Sequence, residues 1–147
     1  MAGMSLVVKT ITRLVTTFIT LFGIYVVLYG HVTPGGGFAG GVIIAAGLIL
    51  VLLAFGREET ARLISPNTWL KMACFGALAF LGIALFGYLT GAFFMNFLHA
   101  AHPHHMTSAG TIPLLEVAVA LIVAGGLFGV FHALASFRPA PRKEDRS

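Results

Sequence analysis

Glu116 is the residue of this sequence best suited to proton or cation chemistry, because it is the only carboxylate inside a long apolar run. An ionised group in hydrocarbon is costly, so intramembrane acids usually face a partner or a hydrated cavity. Two interpretations remain open. Glu116 either gains and loses a proton in an ion path, or it lies close enough to the start of its run, near Ile112, to reach the membrane interface.

His132 and His31 are the other two ion-path candidates. His132 follows Gly125 and Gly129 on one helical stripe, so it faces a neighbouring helix, either as a proton relay or as a structural group at a helix C-terminus. His31 follows the first apolar run and either bonds to a partner or caps that run. Glu116 and His132 lie about 24 Å apart along a helix, so they cannot exchange a proton directly.

Two other patterns resemble known sites without meeting their requirements. The four histidines between His99 and His105 have the spacing HxxHxHH, which lacks the defined ligand spacing of structural zinc sites, so we expect a titratable loop. Residues 35–40 formally match the dinucleotide fingerprint GxGxxG. That fingerprint must follow a strand of a βαβ unit, and here it joins two apolar runs. The single cysteine, Cys74, supplies no disulfide framework or thiolate metal site.

A glycine-rich turn, GHVTPGGGFAGG at residues 30–41, separates the first two apolar runs. Glycine has no Cβ, so such a run lets another backbone, a water or an ion approach closely, and we expect something outside this chain to press against it. Gly37, Gly41 and Ala45 recur every four residues, which is typical of closely packed membrane helices. The same spacing recurs in two later runs, at Gly87 and Gly91 and at Gly125 and Gly129. We interpret these glycines as helix-packing residues.

The elements that position these residues must be membrane helices. With 58% hydrophobic and 10% charged residues and a mean hydropathy of +0.95, the chain is unlike an ordinary soluble domain. We predict an all-α integral membrane protein with four transmembrane helices, at about residues 11–29, 34–56, 66–97 and 112–137, followed by a charged cytoplasmic tail at 138–147. The third run exceeds one crossing, so it either tilts or ends in an interfacial turn near residues 93–97.

The basic residues predict the orientation of these helices. All nine Lys and Arg residues fall on one side of the predicted four-helix arrangement: Lys9, Arg13, Arg57, Arg62, Lys71, Arg138, Arg142, Lys143 and Arg146. The positive-inside rule then places both termini in the cytoplasm, N-in/C-in, with the glycine turn and the histidine loop outside. The same distribution argues against nucleic-acid binding. The first run exceeds a signal-peptide core, so we expect it to be retained.

These features together resemble one known family. The segment GHVTPGGGFAGGVIIAAGLILVLLAFG at residues 30–56, the four helices and AVALIVAGG at residues 118–126 are similar to the MrpB/MnhB subunit of multisubunit Mrp-type Na+/H+ antiporters. The chain also resembles the equivalent small subunit of membrane-bound hydrogenases. The family's helix-packing motif corresponds here to Gly30, His31, Pro34, Gly35, Gly36, Gly37, Phe38 and Gly41.

The resemblance implies an accessory subunit, not an enzyme, of a multi-pass complex in a prokaryotic cell (inner) membrane that exchanges Na+ for H+. Its partners would be the other antiporter subunits and membrane lipid. The chain would scaffold the small subunits and line the ion path with polar residues such as Glu116, and it would hold no cofactor. The alternative is the same-family subunit of an energy-converting hydrogenase or a related redox-driven ion pump. An independent small transporter is disfavoured, because the chain has no paired set of buried charges.

Overall fold

The computed structural model describes residues 4–30, 32, 35–63, 65, 67–91 and 110–136. Its regular elements are all helical. They are α1 (Leu6–Leu28), α2 (Gly36–Phe55), α3 (Arg57–Leu63), α4 (Thr68–Phe86) and α5 (Ile112–Ser136), and a 3-10 turn at Gly87–Thr90 continues α4. Within the described ranges, the four long helices are apolar and long enough to cross a membrane. The prediction of an all-α membrane protein with four spans is confirmed.

The helix bounds differ from the predicted ones by more than two residues at two places. The α1 helix begins at Leu6 rather than near residue 11, because the backbone continues its helix beyond the apolar run and through Lys9. The α4 helix ends at Phe86, and its 3-10 extension closes at Gly91, whose φ of 127° favours glycine. The α-helical part is therefore shorter than the predicted 66–97. Residues 92–97, with the proposed interfacial turn, lie outside the described residues.

The helices pack in the spatial order α1, α2, α5, α4, with α2 and α5 at the centre. Small side chains make up most of the apolar core, so the helix axes approach closely. The buried apolar residues of this core include Ala45, Ala84, Ala118, Ala120 and Ala124, together with the larger Leu52 and Phe128. Gly40 of α2 packs on the other side of the helix, where an added Cβ would lie 2.8 Å from the carbonyl oxygen of Gly23 in α1.

The outer faces of α1 and α4 are strongly apolar. Phe18 and Phe22 of α1 and Phe75 and Leu78 of α4 are each more than half exposed. Contiguous exposed apolar surface of this kind is unusual on soluble monomers. These faces suit contact with lipid or with another membrane helix.

The short α3 helix lies at the same end of the bundle as the start of α1. Lys9 Nζ of α1 donates a hydrogen bond to Glu59 Oε2 of α3 at 2.9 Å. That bond and the charge of Lys9 lower the pKa of Glu59 from its ordinary 4.5. The Arg13 guanidinium lies 5.2 Å from the ring centroid of Phe55 at the end of α2. The sequence predicts only a loop between the second and third spans, but part of this region, Arg57–Leu63, is helical.

Candidate functional site

The candidate site is formed where the first turn of α2 meets the second turn of α5. Glu116 lies in the second turn of α5, which begins at Ile112. Glu116 is half-buried overall, but its Oε2 atom is buried. The side chain points at the turn between α1 and α2, which is the glycine-rich segment. Glu116 and the glycine motif, which were interpreted separately in the sequence, therefore belong to one site.

Three glycines of the turn leave the space that Glu116 occupies. A Cβ added to Gly30 would lie 2.5 Å from Glu116 Oε2 and 2.8 Å from its carboxyl carbon. A Cβ added to Gly36 would lie 3.1 Å from Glu116 Oε1. A Cβ on Gly37 would collide with the backbone carbonyl of Glu116. The first two glycines thus make room for the carboxyl group, whereas the third lets the two helix backbones touch.

The backbone of the turn also requires glycine. Gly35 and Gly36 have φ values of 151° and 56°, in a region that side chains rarely adopt. Gly35 is the N-cap of α2 and provides no side-chain cap. A helix N-terminus carries a partial positive charge and N–H groups that have no partner within the helix. The Glu116 carboxyl group lies beside this positive end.

The α5 helix of the same chain presses on the glycine turn. The stripe of small residues on α2 continues the contact: a Cβ on Gly41 would lie 2.9 Å from the carbonyl oxygen of Ala120, and Ala45 is buried. Phe38 is exposed. His31 and Pro34 of the motif lie outside the described residues, as do the histidine loop and the tail.

His132 lies at the opposite end of α5 and does not approach Glu116. Its ring centroid is 4.4 Å from that of Trp69 in α4 and 6.2 Å from that of Phe128. Gly125 and Gly129 of the same stripe also face Trp69: an added Cβ would lie 2.5 Å from its carbonyl oxygen and 2.8 Å from its indole, respectively. His132 therefore sits in an aromatic contact between α4 and α5.

Of the two packing glycines expected in the third run, Gly87 is buried and Gly91 is exposed. Gly91 closes the 3-10 turn rather than lying on a packed helix. The α4 helix also approaches α5 closely at Gly76, where an added Cβ would lie 2.8 Å from the carbonyl oxygen of Ala118. The signal that was available is that Gly76 and Ala84, both buried, are eight residues apart on one face.

The arrangement provides a single carboxyl group at a helix–helix contact. Such a group can bind and release a proton, or it can contribute oxygen ligands to a cation. Among the described residues, no three His, Cys, Asp or Glu side chains are grouped so that they could hold a metal ion. Any further polar groups of an ion path near Glu116 would have to come from the undescribed segments, from water or from other chains.

The chain is similar to a known family and to several of its relatives. A family described as a domain related to the MnhB subunit of Na+/H+ antiporter matches residues 7–129. A Na+/H+ antiporter subunit of Bacillus subtilis is 32% identical over 123 residues, which cover 82% of this chain and 85% of that protein. A putative antiporter subunit mnhB2 of Staphylococcus haemolyticus is 33% identical and covers 88% of this chain and 93% of that protein.

Two longer chains also match. The Methanocaldococcus jannaschii protein MJ1307 is 35% identical over 129 residues, and the match spans 82% of this chain but only 48% of that protein. In the solved structure of the membrane-bound sulfane sulfur reductase, an archaeal respiratory membrane complex, one chain superposes with a TM-score of 0.74 at 31% identity. That match covers 88% of this chain and 58% of the other.

Proposed function

Because this chain belongs to the family of the MnhB subunit of Na+/H+ antiporters, we propose that it is an accessory membrane subunit of a multisubunit monovalent cation (Na+)/proton antiporter. The observation that carries the proposal is the family match over residues 7–129, supported by relatives named antiporter subunits. The chain is a multi-pass membrane protein. Its membrane is then the cell (inner) membrane of a prokaryote, and its partners are the other antiporter subunits.

The chain acts first as a scaffold in this proposal. Gly37, Gly41 and Gly76 bring α2, α4 and α5 into backbone contact, which makes a closely packed unit. The exposed apolar faces of α1 and α4 remain available to lipid and to neighbouring subunits. The chain itself catalyses no reaction and holds no cofactor, since the exchange is carried out by the assembled complex.

Glu116 is the residue through which the chain borders the ion path. A lipid-facing carboxylate would be disfavoured, and Glu116 instead lies against the glycine turn, with Oε2 buried in protein. His31 lies in the same turn of the sequence and is the second candidate. His132 packs between aromatic rings, which favours a structural role for it.

Everted membrane vesicles test the proposal. Sodium-dependent collapse of an imposed pH gradient should be lost when the chain is deleted and restored by the parent chain. Glu116→Gln keeps the shape of the side chain but cannot ionise, so it should reduce exchange while the complex stays assembled. Glu59→Gln, which neutralises a carboxylate on α3 outside the four spans, is the matched control and should exchange normally.

Two results would contradict this proposal at different levels. Normal exchange in vesicles that lack the chain would exclude an accessory role in that activity. Normal exchange by an assembled Glu116→Gln complex at every pH tested would remove Glu116 from the ion path and leave the chain as scaffold alone.

The second candidate is a subunit of an energy-converting hydrogenase or another redox-driven ion pump. The match to a chain of the membrane-bound sulfane sulfur reductase favours it. Affinity purification of the complex through this chain, followed by mass spectrometry and metal analysis, separates the two. Antiporter subunits without redox metals support the first candidate, whereas co-purified metal-containing redox subunits support the second.

The proposed topology places both termini, α3 and the Lys9–Glu59 ion pair in the cytoplasm. The distribution of Lys and Arg supports it. Single cysteines at Ser108 and Ser147, in a background in which the exposed Cys74 is replaced by alanine, can be labelled on intact cells with an impermeant maleimide. Ser108→Cys should react from outside and Ser147→Cys should not. Labelling of Ser147→Cys from outside would overturn the topology.

A further inference from the structure

We propose that the glycine turn is a receptor for the ionised carboxylate of Glu116, and that this contact is a charge-dependent latch between α5 and the α1–α2 hairpin. The latch holds the outer end of α5 when Glu116 is charged and loosens when a proton or a bound cation neutralises it. This inference goes beyond the function proposed above, because it concerns the contact itself and holds for either type of complex.

Different glycines contact the side chain and the backbone of Glu116. Gly30 and Gly36 flank the carboxyl group on two sides. A Cβ built on Gly30 would lie 2.5 Å from Oε2, and a Cβ built on Gly36 would lie 3.1 Å from Oε1. Gly37 instead contacts the backbone carbonyl. The backbone contact between α2 and α5 uses Gly37 and Gly41. At position 36 the three atoms nearest to an added Cβ all belong to the Glu116 side chain, and at position 30 an added Cβ would meet the Cα atom of Gly36 as well as the carboxyl group.

The polarity of the turn explains why the charge of this carboxyl group matters. The α2 helix begins at Gly36 and has no side-chain cap of its own at Gly35. The positive end of α2 therefore meets the Glu116 carboxyl group, which can serve as a cap supplied by another helix. A neutral carboxyl or amide retains the size of the group but loses most of this attraction.

The contact lies at the N-terminal end of α5. The packing of α5 against α2 continues inward from Glu116 through Gly41 and Ala120. Thr111, immediately before α5, is buried. The titratable groups of the described neighbours at this end are the phenols of Tyr25 and Tyr29 on α1 and of Tyr88 after α4, while α2 contributes none. Glu116 is therefore the carboxylate whose charge can control this end.

Labelling of a buried cysteine tests the latch in the intact purified complex. Thr111→Cys, in a Cys74→Ala background, should react slowly with a water-soluble maleimide because residue 111 is buried. Adding Glu116→Gln should raise the rate by about twofold to thirtyfold, the range expected for loss of a charge at a helix terminus. Glu59→Gln should leave the rate unchanged. Hydrogen exchange of the first turn of α2 gives a second readout without Thr111→Cys, and it should also increase with Glu116→Gln.

A double-mutant cycle tests whether the glycines act through the carboxylate. Gly36→Ala should displace the carboxyl group and raise hydrogen exchange in α5, and this effect should shrink once Glu116→Ala has removed the carboxylate. Gly35→Ala is the matched control: it also has a positive φ, but its added Cβ would meet only Ala39 and Val26 at 3.6 Å. Its effect should be the same in both backgrounds.

Three outcomes would overturn the latch. The first is a Glu116→Gln complex with the labelling and exchange rates of the parent. The second is an increase in Glu116→Ala but not in Glu116→Gln, since packing rather than charge would then hold α5. The third is equal coupling of Gly35 and Gly36 to Glu116. None of these results depends on transport, so the latch can fail while the proposed antiporter function stands, and the reverse.

Discussion

Substitution of adjacent glycines in α5 offers a sensitive test of the helix packing. Gly125 and Gly126 are adjacent residues of α5, but they face different surroundings. A Cβ on Gly125 would lie 2.5 Å from the carbonyl oxygen of Trp69 and 3.0 Å from the backbone nitrogen of Ala73. A Cβ on Gly126 would meet nothing within 4 Å. We expect Gly125→Ala to destabilise the bundle and Gly126→Ala to leave it unchanged or stabilise it.

The magnitude follows from two opposing terms. Replacing glycine by alanine inside a helix gains about 0.5 to 1 kcal/mol in either position. At Gly125 the methyl group meets backbone atoms of α4, which cannot rotate away, so overpacking costs about 1 to 3 kcal/mol. Because the helix term is common to both variants, their difference in unfolding free energy isolates the overpacking term of about 1 to 3 kcal/mol.

Thermal unfolding of the purified complex in detergent measures this difference. For a chain of this size, each kcal/mol corresponds to a shift of roughly 2 to 4 °C, so Gly125→Ala should melt about 2 to 12 °C below Gly126→Ala. Native gel electrophoresis confirms that both complexes are assembled before melting. A Gly125→Ala complex that is as stable as Gly126→Ala would refute the close approach of α4 and α5.

Three further predictions concern separate contacts. The pKa of Glu59 is lowered in the folded protein, so its ion pair with Lys9 stabilises the fold above the ordinary pKa of 4.5, and this stabilisation is lost as the pH falls through the lower folded pKa. Glu59→Gln should therefore slightly reduce the melting temperature at pH 7. Equal melting temperatures of the parent and the variant at pH 7 would contradict a stabilising ion pair. His132→Phe keeps a ring at the contact with α4 and should preserve exchange in vesicles, whereas a full loss of exchange by the assembled variant would indicate a proton relay. Gly36→Leu should disrupt assembly on native gels more than Leu48→Ala, and an intact Gly36→Leu complex would mean that position 36 faces open space.

Much of the fold could be predicted because each membrane helix is specified locally. A peptide group in hydrocarbon must bond within its own helix, so apolar length alone locates the four spans. Helix ends depend on finer features. The 3-10 turn that follows α4 closes at Gly91, whose φ is positive. The α3 helix is a short polar segment whose Glu59 accepts a hydrogen bond from Lys9 of α1. Neither feature carries a strong periodic signal.

The site was only partly predictable from particular residues. Glu116 stands out as the lone carboxylate of an apolar run, and the glycines stand out by their density. Their meeting is a contact between residues separated by about eighty positions along the chain, and no local pattern reports which helix a glycine faces. The packing of α4 shows the same limit: Gly76 of the described helix contacts α5, while Gly91, at the predicted spacing, closes a turn.

The sequence by itself determined that the chain lies in a membrane, how many spans it has, which family it resembles and which residues can carry charge in the membrane. It could do so because composition, length and motif are properties of short segments. The tertiary structure alone decided what those residues do to each other. It placed α5 against the glycine turn, with the Glu116 carboxyl group beside Gly30 and Gly36, and it placed the ring of His132 against Trp69 of α4. The physical reason is that helix pairing depends on the fit of whole surfaces at close range, where the absence of one Cβ admits a carboxyl group.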